Sequence, residues 1–127
     1  MNKLEQKLID GTLGELLVQA RLLQHDVQAA PPLKDTGNDL IAVRESAMRA
    51  IQVKTTQGDH YILPKKTKKY DILAAVKLVG DEREVAFDQC KIFLIHKKEL
   101  IGLSRKFSKI DAYKLSPERI NVLFPKV

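Results

Sequence analysis

The stretch DLIAVRESAMRAIQVKTT, residues 39–56, leaves this chain few choices. DLIAV (Asp39–Val43) and RAIQVKTT (Arg49–Thr56) are both rich in residues that favour strands. Only the polar link RESAM lies between them, which suits a tight reversal, so the two runs are expected to form an antiparallel hairpin. Strand side chains alternate between faces. Ile51 and Val53 then enter the core, while Gln52 and Lys54 share the other face. Asp39 opens the neighbouring strand. A carboxylate, an amide and an ammonium group are thereby brought to one end of a sheet.

The rest of the chain supplies a helix and further strands. Residues 2–25 are helical in character: Leu13, Leu16, Leu17, Ala20 and Leu23 recur at helical spacing. Leu8, Gly11, Glu15, Val18 and Leu22 form a second stripe beside the first, with Gly11 a candidate kink. Glu15 is thus a carboxylate among apolar neighbours. Val27–Ala30 reads as a short strand, ended by Pro31-Pro32 because proline cannot donate to a ladder. KDTGN is a turn with Gly37 at its centre. Gly58 and Pro64 argue against one long element over residues 57–69. Tyr70–Val79 and Lys91–Lys97 read as buried strands, with GDERE a turn between them that VAF pairs across. A short helix is expected over residues 98–107, a turn or helix start at Ser116-Pro117-Glu118, and a terminal strand at NVLF. The order predicts an α/β or α+β single domain, residues 1–127, built on one central mixed sheet flanked by helices.

Composition narrows the functional classes. A chain of 127 residues suffices for one core and not two. No apolar run approaches the roughly 18 residues of a membrane span, and MNKLEQKLID lacks signal-peptide character, so a cytoplasmic protein is expected. Cys90, the only cysteine, reads as a small buried thiol. His25, His60 and His96 lie in unrelated settings, which argues against a zinc site. The net charge of +6 suits a polyanion partner, and its excess is uneven. KKTKK brings together Lys65, Lys66, Lys68 and Lys69, and Lys91, Lys97, Lys98, Arg105, Lys106 and Lys109 follow.

The polar cluster suits phosphodiester hydrolysis. A hard cation such as Mg²⁺ or Mn²⁺ takes oxygen ligands, and Asp39, the Gln52 amide oxygen and the Val53 backbone carbonyl could supply them. The metal would polarise a phosphate and acidify a bound water, while Lys54 orients that water or stabilises charge on the phosphoryl oxygens.

These residues resemble a known pattern. The segment from Gly11 to Thr56 is similar to the core of the PD-(D/E)xK nuclease superfamily, in particular small prokaryotic members that include archaeal Holliday-junction resolvases and restriction-endonuclease-like proteins. GxxGE puts Glu15 where many members carry a helical glutamate. Asp39 in GxDL matches the family aspartate. Gln52-Val53-Lys54 stands for the family's acidic-x-Lys, with glutamine replacing an acidic ligand. The resemblance implies a restriction-endonuclease-like fold: a helix, a three-stranded meander, a helix and a further strand. It also implies a Mg²⁺- or Mn²⁺-dependent endonuclease acting on nucleic acid, DNA being the expected substrate. Glu15, Asp39, Gln52 and Val53 would hold the metal, and Glu15, Asp39, Gln52 and Lys54 would form the catalytic set. Lys65, Lys66, Lys68 and Lys69, with Thr55 and Thr56, would contact phosphates. Cutting two strands calls for two active sites, which makes a homodimer one expectation.

Each residue also has a plainer explanation. Asp39 would terminate a turn, Glu15 would complete a capping box with Thr12, and Gln52 and Lys54 would belong to a solvated strand face. Tyr61 and Tyr70 would pack in the core or stack on a base. Two other functions suit the same scaffold: a non-catalytic nucleic-acid-binding relative, and a protein-interaction module of immunity or accessory type.

Overall fold

The structure is a computed structural model, and it describes residues 3–34, 38–81 and 84–126. The Asp35-Thr36-Gly37 turn lies outside the described residues, as do Glu82 and Arg83 of the GDERE turn. The first element is a single helix, α1 (Lys3–Leu23), unbroken through Gly11. Glu5 in its first turn and Arg21 in its last complement the helix dipole. Asp26, at φ 63°, takes the left-handed position that ends it, and Val27 N–H closes the exit on Leu22 O at 3.0 Å.

Five strands follow: β1 (Gln28–Ala30), β2 (Leu40–Arg44), β3 (Ala47–Thr56), β4 (Ile72–Lys77) and β5 (Lys91–His96). They form one mixed sheet in sequence order. β1, β2 and β3 make an antiparallel meander, β4 runs parallel to β3, and β5 returns antiparallel. The β2–β3 hairpin is tighter than RESAM implied. Arg44 pairs with Ala47, and Glu45, at φ 53°, turns the chain. β4 is buried on both faces, which explains its unbroken apolar run. Among the described residues the fold is α+β, a five-stranded mixed sheet with two α-helices.

The two helices share one face. Val18 and Leu22 of α1 and Ile120, Leu123 and Phe124 from the C-terminal segment pack with Leu40, Ile51, Ile72 and Leu94. The other face carries Leu73, Ala75, Phe93 and Ile95, covered by Tyr61, Phe107 and Ile110. That cover is irregular chain. Residues 57–71 cross from β3 to β4 without a helix, although the family resemblance implies one there. The segment is pinned instead by Tyr61 N–H to Arg105 O and Phe107 N–H to Asp59 O, each 3.0 Å.

Several expectations are corrected. Of the two helical stripes, Leu16 and Leu23 of the first are 55% and 61% exposed, while its Leu17 packs at the edge of the core. The stripe that meets the sheet is Gly14, Val18 and Leu22. Two stripes of equal periodicity compete, and Gly14 decides, because a Cβ there would lie 1.9 Å from Thr55 Oγ1. Residues 98–107 form no α-helix. Short 3₁₀ turns at Lys97–Leu100 and Phe107–Lys109 flank Gly102, whose φ of 74° breaks any longer helix. NVLF is not a strand but the end of α2 (Pro117–Leu123) and its exit. Ser116 caps that helix by accepting from Arg119 N–H at 3.0 Å, and Pro117 opens it. Ile120, Leu123 and Phe124 then recur at helical, not strand, spacing. VAF does reach across its turn, with Val85 bridged to Gly80. Cys90 is a buried free thiol. No helix among the described residues is long and apolar enough to cross a membrane.

Candidate functional site

The site forms where strand pairing stops. β2 begins at Leu40, opposite Ile51, so β3 runs on from Gln52 to Thr56 with no β2 partner. Asp39 stands in the gap. Its N–H donates to Ile51 O at 3.1 Å, and its Oδ2 accepts from Val53 N–H at 2.9 Å. The carboxylate thus continues the ladder one step beyond the last strand residue. The N–H and C=O of one strand residue point to the same edge, so the Val53 carbonyl faces this gap as well.

Gln52 is 4% exposed, and its Nε2 donates to the same Asp39 Oδ2 at 2.8 Å. A carboxylate only accepts, so the amide must present nitrogen to Asp39 and direct oxygen elsewhere. That oxygen, Gln52 Oε1, is buried and has no hydrogen-bond partner. Such an acceptor is costly to leave unmatched, by about 1–3 kcal/mol.

Glu15 reaches the gap from the helix side. Gln52 and Lys54 reach it from the other face of the sheet, since they pair in register with Leu73 and Ala75. The Glu15 carboxyl is raised above its ordinary range, first by burial, then by repulsion from Asp39 and a side-chain hydrogen bond with it. Two acidic groups therefore meet in a partly buried place. Together with Lys54, Thr55 and Thr56 they line one cleft of about 610 Å³.

The cleft gathers Glu15, Asp39, Gln52, Val53, Lys54, Thr55 and Thr56, all seven of which the sequence singled out. It does not gather the lysine run. Lys65, Lys66, Lys68 and Lys69 line a separate groove of about 650 Å³ with Tyr70 and Lys97. That groove starts at Leu63, next to Ile62 of the cleft wall. Tyr61 is 1% exposed and Tyr70 packs against the second cluster, so both are packing residues. Thr12 and Glu15 form no capping box: Thr12 lies mid-helix and donates to Leu8 O at 3.0 Å. Lys7, Asp10 and Gln57 also line the cleft, with Gln57 Nε2 donating to Asp10 Oδ2 at 3.4 Å. Sequence reading passed over all three, although Lys7, Gly11 and Glu15 are spaced by four and so share a helix face.

Among the described residues no group of three or more His, Cys, Asp or Glu side chains is placed to hold a metal ion. The donor set here is different: two carboxylates, an unmatched amide oxygen and a backbone carbonyl. It fits a hard cation that keeps several of its waters.

No protein-family model matches the sequence, and no curated protein matches it. Among solved structures, a bacterial homing endonuclease, I-Ssp6803I, is similar at 14% identity, over 85% of this chain and 76% of that one, with a TM-score of 0.46.

Proposed function

We propose that this chain is a metal-dependent endonuclease that hydrolyses phosphodiester bonds in DNA, with its chemistry in the Asp39 cleft. The observation that carries the reading is the buried, partnerless Oε1 of Gln52, in a residue that lines one cleft with the carboxylates of Glu15 and Asp39. A cation answers both features: it supplies the amide oxygen with a partner and relieves the carboxylate repulsion. Glu15, Asp39, Gln52 Oε1 and the Val53 carbonyl would hold it. When bound, Mg²⁺ or Mn²⁺ supplies Lewis acidity toward the phosphate and lowers the pKa of a bound water.

The chain's own residues do the rest. Asp39 fixes Gln52 and the Val53 peptide through its Oδ2, so the oxygen donors are held before any ligand arrives. Lys54 lines the same cleft and offers an ammonium group to the phosphoryl oxygens. Gln52 carries no charge, so the site binds metal more weakly than one with a third carboxylate. Cutting both strands of a duplex would take a second copy of the chain.

The test is plasmid nicking with Mg²⁺ or Mn²⁺, comparing the parent with Asp39→Ala and Lys54→Ala, each checked for folding by circular dichroism. Both variants should lose at least 10²-fold in rate. Parent-like cutting by both would end the assignment. One observation favours a second reading, a non-catalytic nucleic-acid-binding relative. Asp39 Oδ2 already accepts two protein hydrogen bonds, as a structural ladder cap would. On that reading nucleic acid binds without metal and is never cut.

A further inference from the structure

The charge of this protein is divided by residue type and by layer. The two segments that cover the second sheet face, residues 57–70 and 97–114, hold ten lysines and arginines against three carboxylates, a net +7. All other residues hold twelve against thirteen, a net −1, so the chain's +6 comes from this cover. The arginines mostly serve the fold. Arg44 donates to Phe124 O, Arg49 to Leu123 O, Arg105 to Tyr61 O and Arg119 to Leu94 O. The lysines are left to face outward.

Three lysines meet in one place, Lys106 from the cover and Lys77 and Lys91 from the strands beneath it. Thr56, Lys77 and Lys91 sit in one row across β3, β4 and β5. Lys54 lies one pleat earlier on the same face, paired with Ala75. Lys106 and Ser108, from the cover, close over the row. Lys77, Lys91, Lys106, Ser108, Phe107 and Asp59 line a pocket of about 250 Å³. Lys77 is held there by Gly58 O at 2.9 Å and by Asp59 at 3.4 Å. Asp59 is 90% exposed, so it is a weak counter-ion for Lys77. With strands about 4.8 Å apart, the row places Lys91 about 10 Å across the sheet from β3, which carries Gln52 and Lys54.

We propose that Lys77, Lys91, Lys106 and Ser108 seat a backbone phosphate of the nucleic acid strand that enters the Asp39 cleft, and that this grip is independent of base sequence. The proposal rests on the nuclease reading for what the cleft holds, but the pocket binds without catalysis. Lysine ammonium groups are point charges that suit phosphate oxygens, whereas among basic side chains the planar, bidentate fork of arginine is the better reader of base edges. Here four arginine forks are spent on backbone carbonyls.

The experiment is fluorescence anisotropy of the full chain with labelled DNA duplexes of two unrelated sequences, in EDTA, over a series of salt concentrations. Lys91→Ala/Lys106→Ala is compared with Lys34→Ala/Lys126→Ala, which removes the same net charge from exposed positions outside the pocket and its cover. The pocket pair should lower the salt slope by about two and weaken binding by on the order of tenfold or more near 0.1 M salt, equally for both sequences. The control pair should leave the slope unchanged. Equal losses from both pairs, a strong preference for one duplex, or no binding by the parent would each overturn the proposal. Lysine-dependent binding by a parent that nicks nothing would uphold the pocket and remove only the catalytic reading.

Discussion

Replacing Gln52 by glutamate separates the cation from every other explanation of the cleft. In the parent, Gln52 Nε2 donates to Asp39 Oδ2 at 2.8 Å from a position that is 4% exposed. Gln52→Glu turns that donor into an acceptor facing an acceptor. A hydrogen bond to a charged group contributes about 1.5–3 kcal/mol, and two carboxylates so close cannot both ionise freely. At neutral pH without metal the variant should therefore lose about 2 kcal/mol, which for this chain length is a drop of about 6–10 °C in Tm. The new carboxyl has a folded pKa raised above its unfolded value. Its stability is complete at acid pH and lost as pH rises through the folded pKa, so the gap from the parent should close toward pH 4. Metal should reverse the order. A third carboxylate tightens the site, and Mg²⁺ at about 100 times its Kd adds about 2.7 kcal/mol. The assay is thermal unfolding at pH 7 in EDTA and in a Mg²⁺ series, repeated at acid pH. A variant as stable as the parent in EDTA would refute the Asp39–Gln52 contact. A variant that Mg²⁺ rescues no more than the parent would refute the cation site.

Three further outcomes follow from the structure. Glu15→Gln should stabilise the metal-free protein at neutral pH: burial and Asp39 raise the Glu15 carboxyl, so its charged form opposes folding, and the gain should vanish in urea titrations below its unfolded value of about 4.5. Gly14→Ala should cost about 1–3 kcal/mol in the same titrations, because Thr55 Cβ itself lies 3.0 Å from the added carbon and no rotation of Thr55 clears it; Gly11→Ala, with nothing within 4 Å, should instead gain up to about 1 kcal/mol. Burial alone would raise the Glu99 carboxyl, but hydrogen bonds from Arg119 and the His96 N–H, with the charges of Arg119 and His96, outweigh it and hold it below its ordinary range. The parent should therefore lose stability as pH falls below about 4.5, and Glu99→Gln should flatten that part of the acid-unfolding profile.

What the sequence disclosed was local and polar, and what it concealed was long-range. The hairpin was legible because DLIAV and IQVKTT are both rich in strand-favouring residues and their link is short. Glu15, Asp39, Gln52 and Lys54 were legible as a set, and they do line one cleft. The packed stripe of α1 was not, because its two stripes look alike until Gly14 is set against Thr55, which is 41 positions away in the chain. The end of the chain misled for a related reason. NVLF alone suits a strand, and only the Ser116 cap with Pro117 behind it commits the segment to a helix. The reach of KKTKK was misjudged because residues 57–71 follow no periodicity, so nothing local says which groove they border.

Why the site sits where it does follows from the ladder. A strand pair that continued past Ile51 would satisfy β3 with backbone alone and leave no room for side chains. Stopping β2 at Leu40 exposes the edge of β3 from Gln52 onward, and an acidic side chain at Asp39 then replaces the missing strand by accepting Val53 N–H. That substitution is imperfect in a particular way. A carboxylate can answer an N–H but not a carbonyl or an amide oxygen, so the acceptors at this edge outnumber the donors. Gln52 Oε1 is buried without a partner, and Glu15 is driven toward its protonated form. A fold selected for stability alone would have filled the gap with another residue pair of the ladder. On the proposed reading, an edge rich in acceptors and held in shape by hydrogen bonds is instead a place where a cation would lower the free energy of the folded chain.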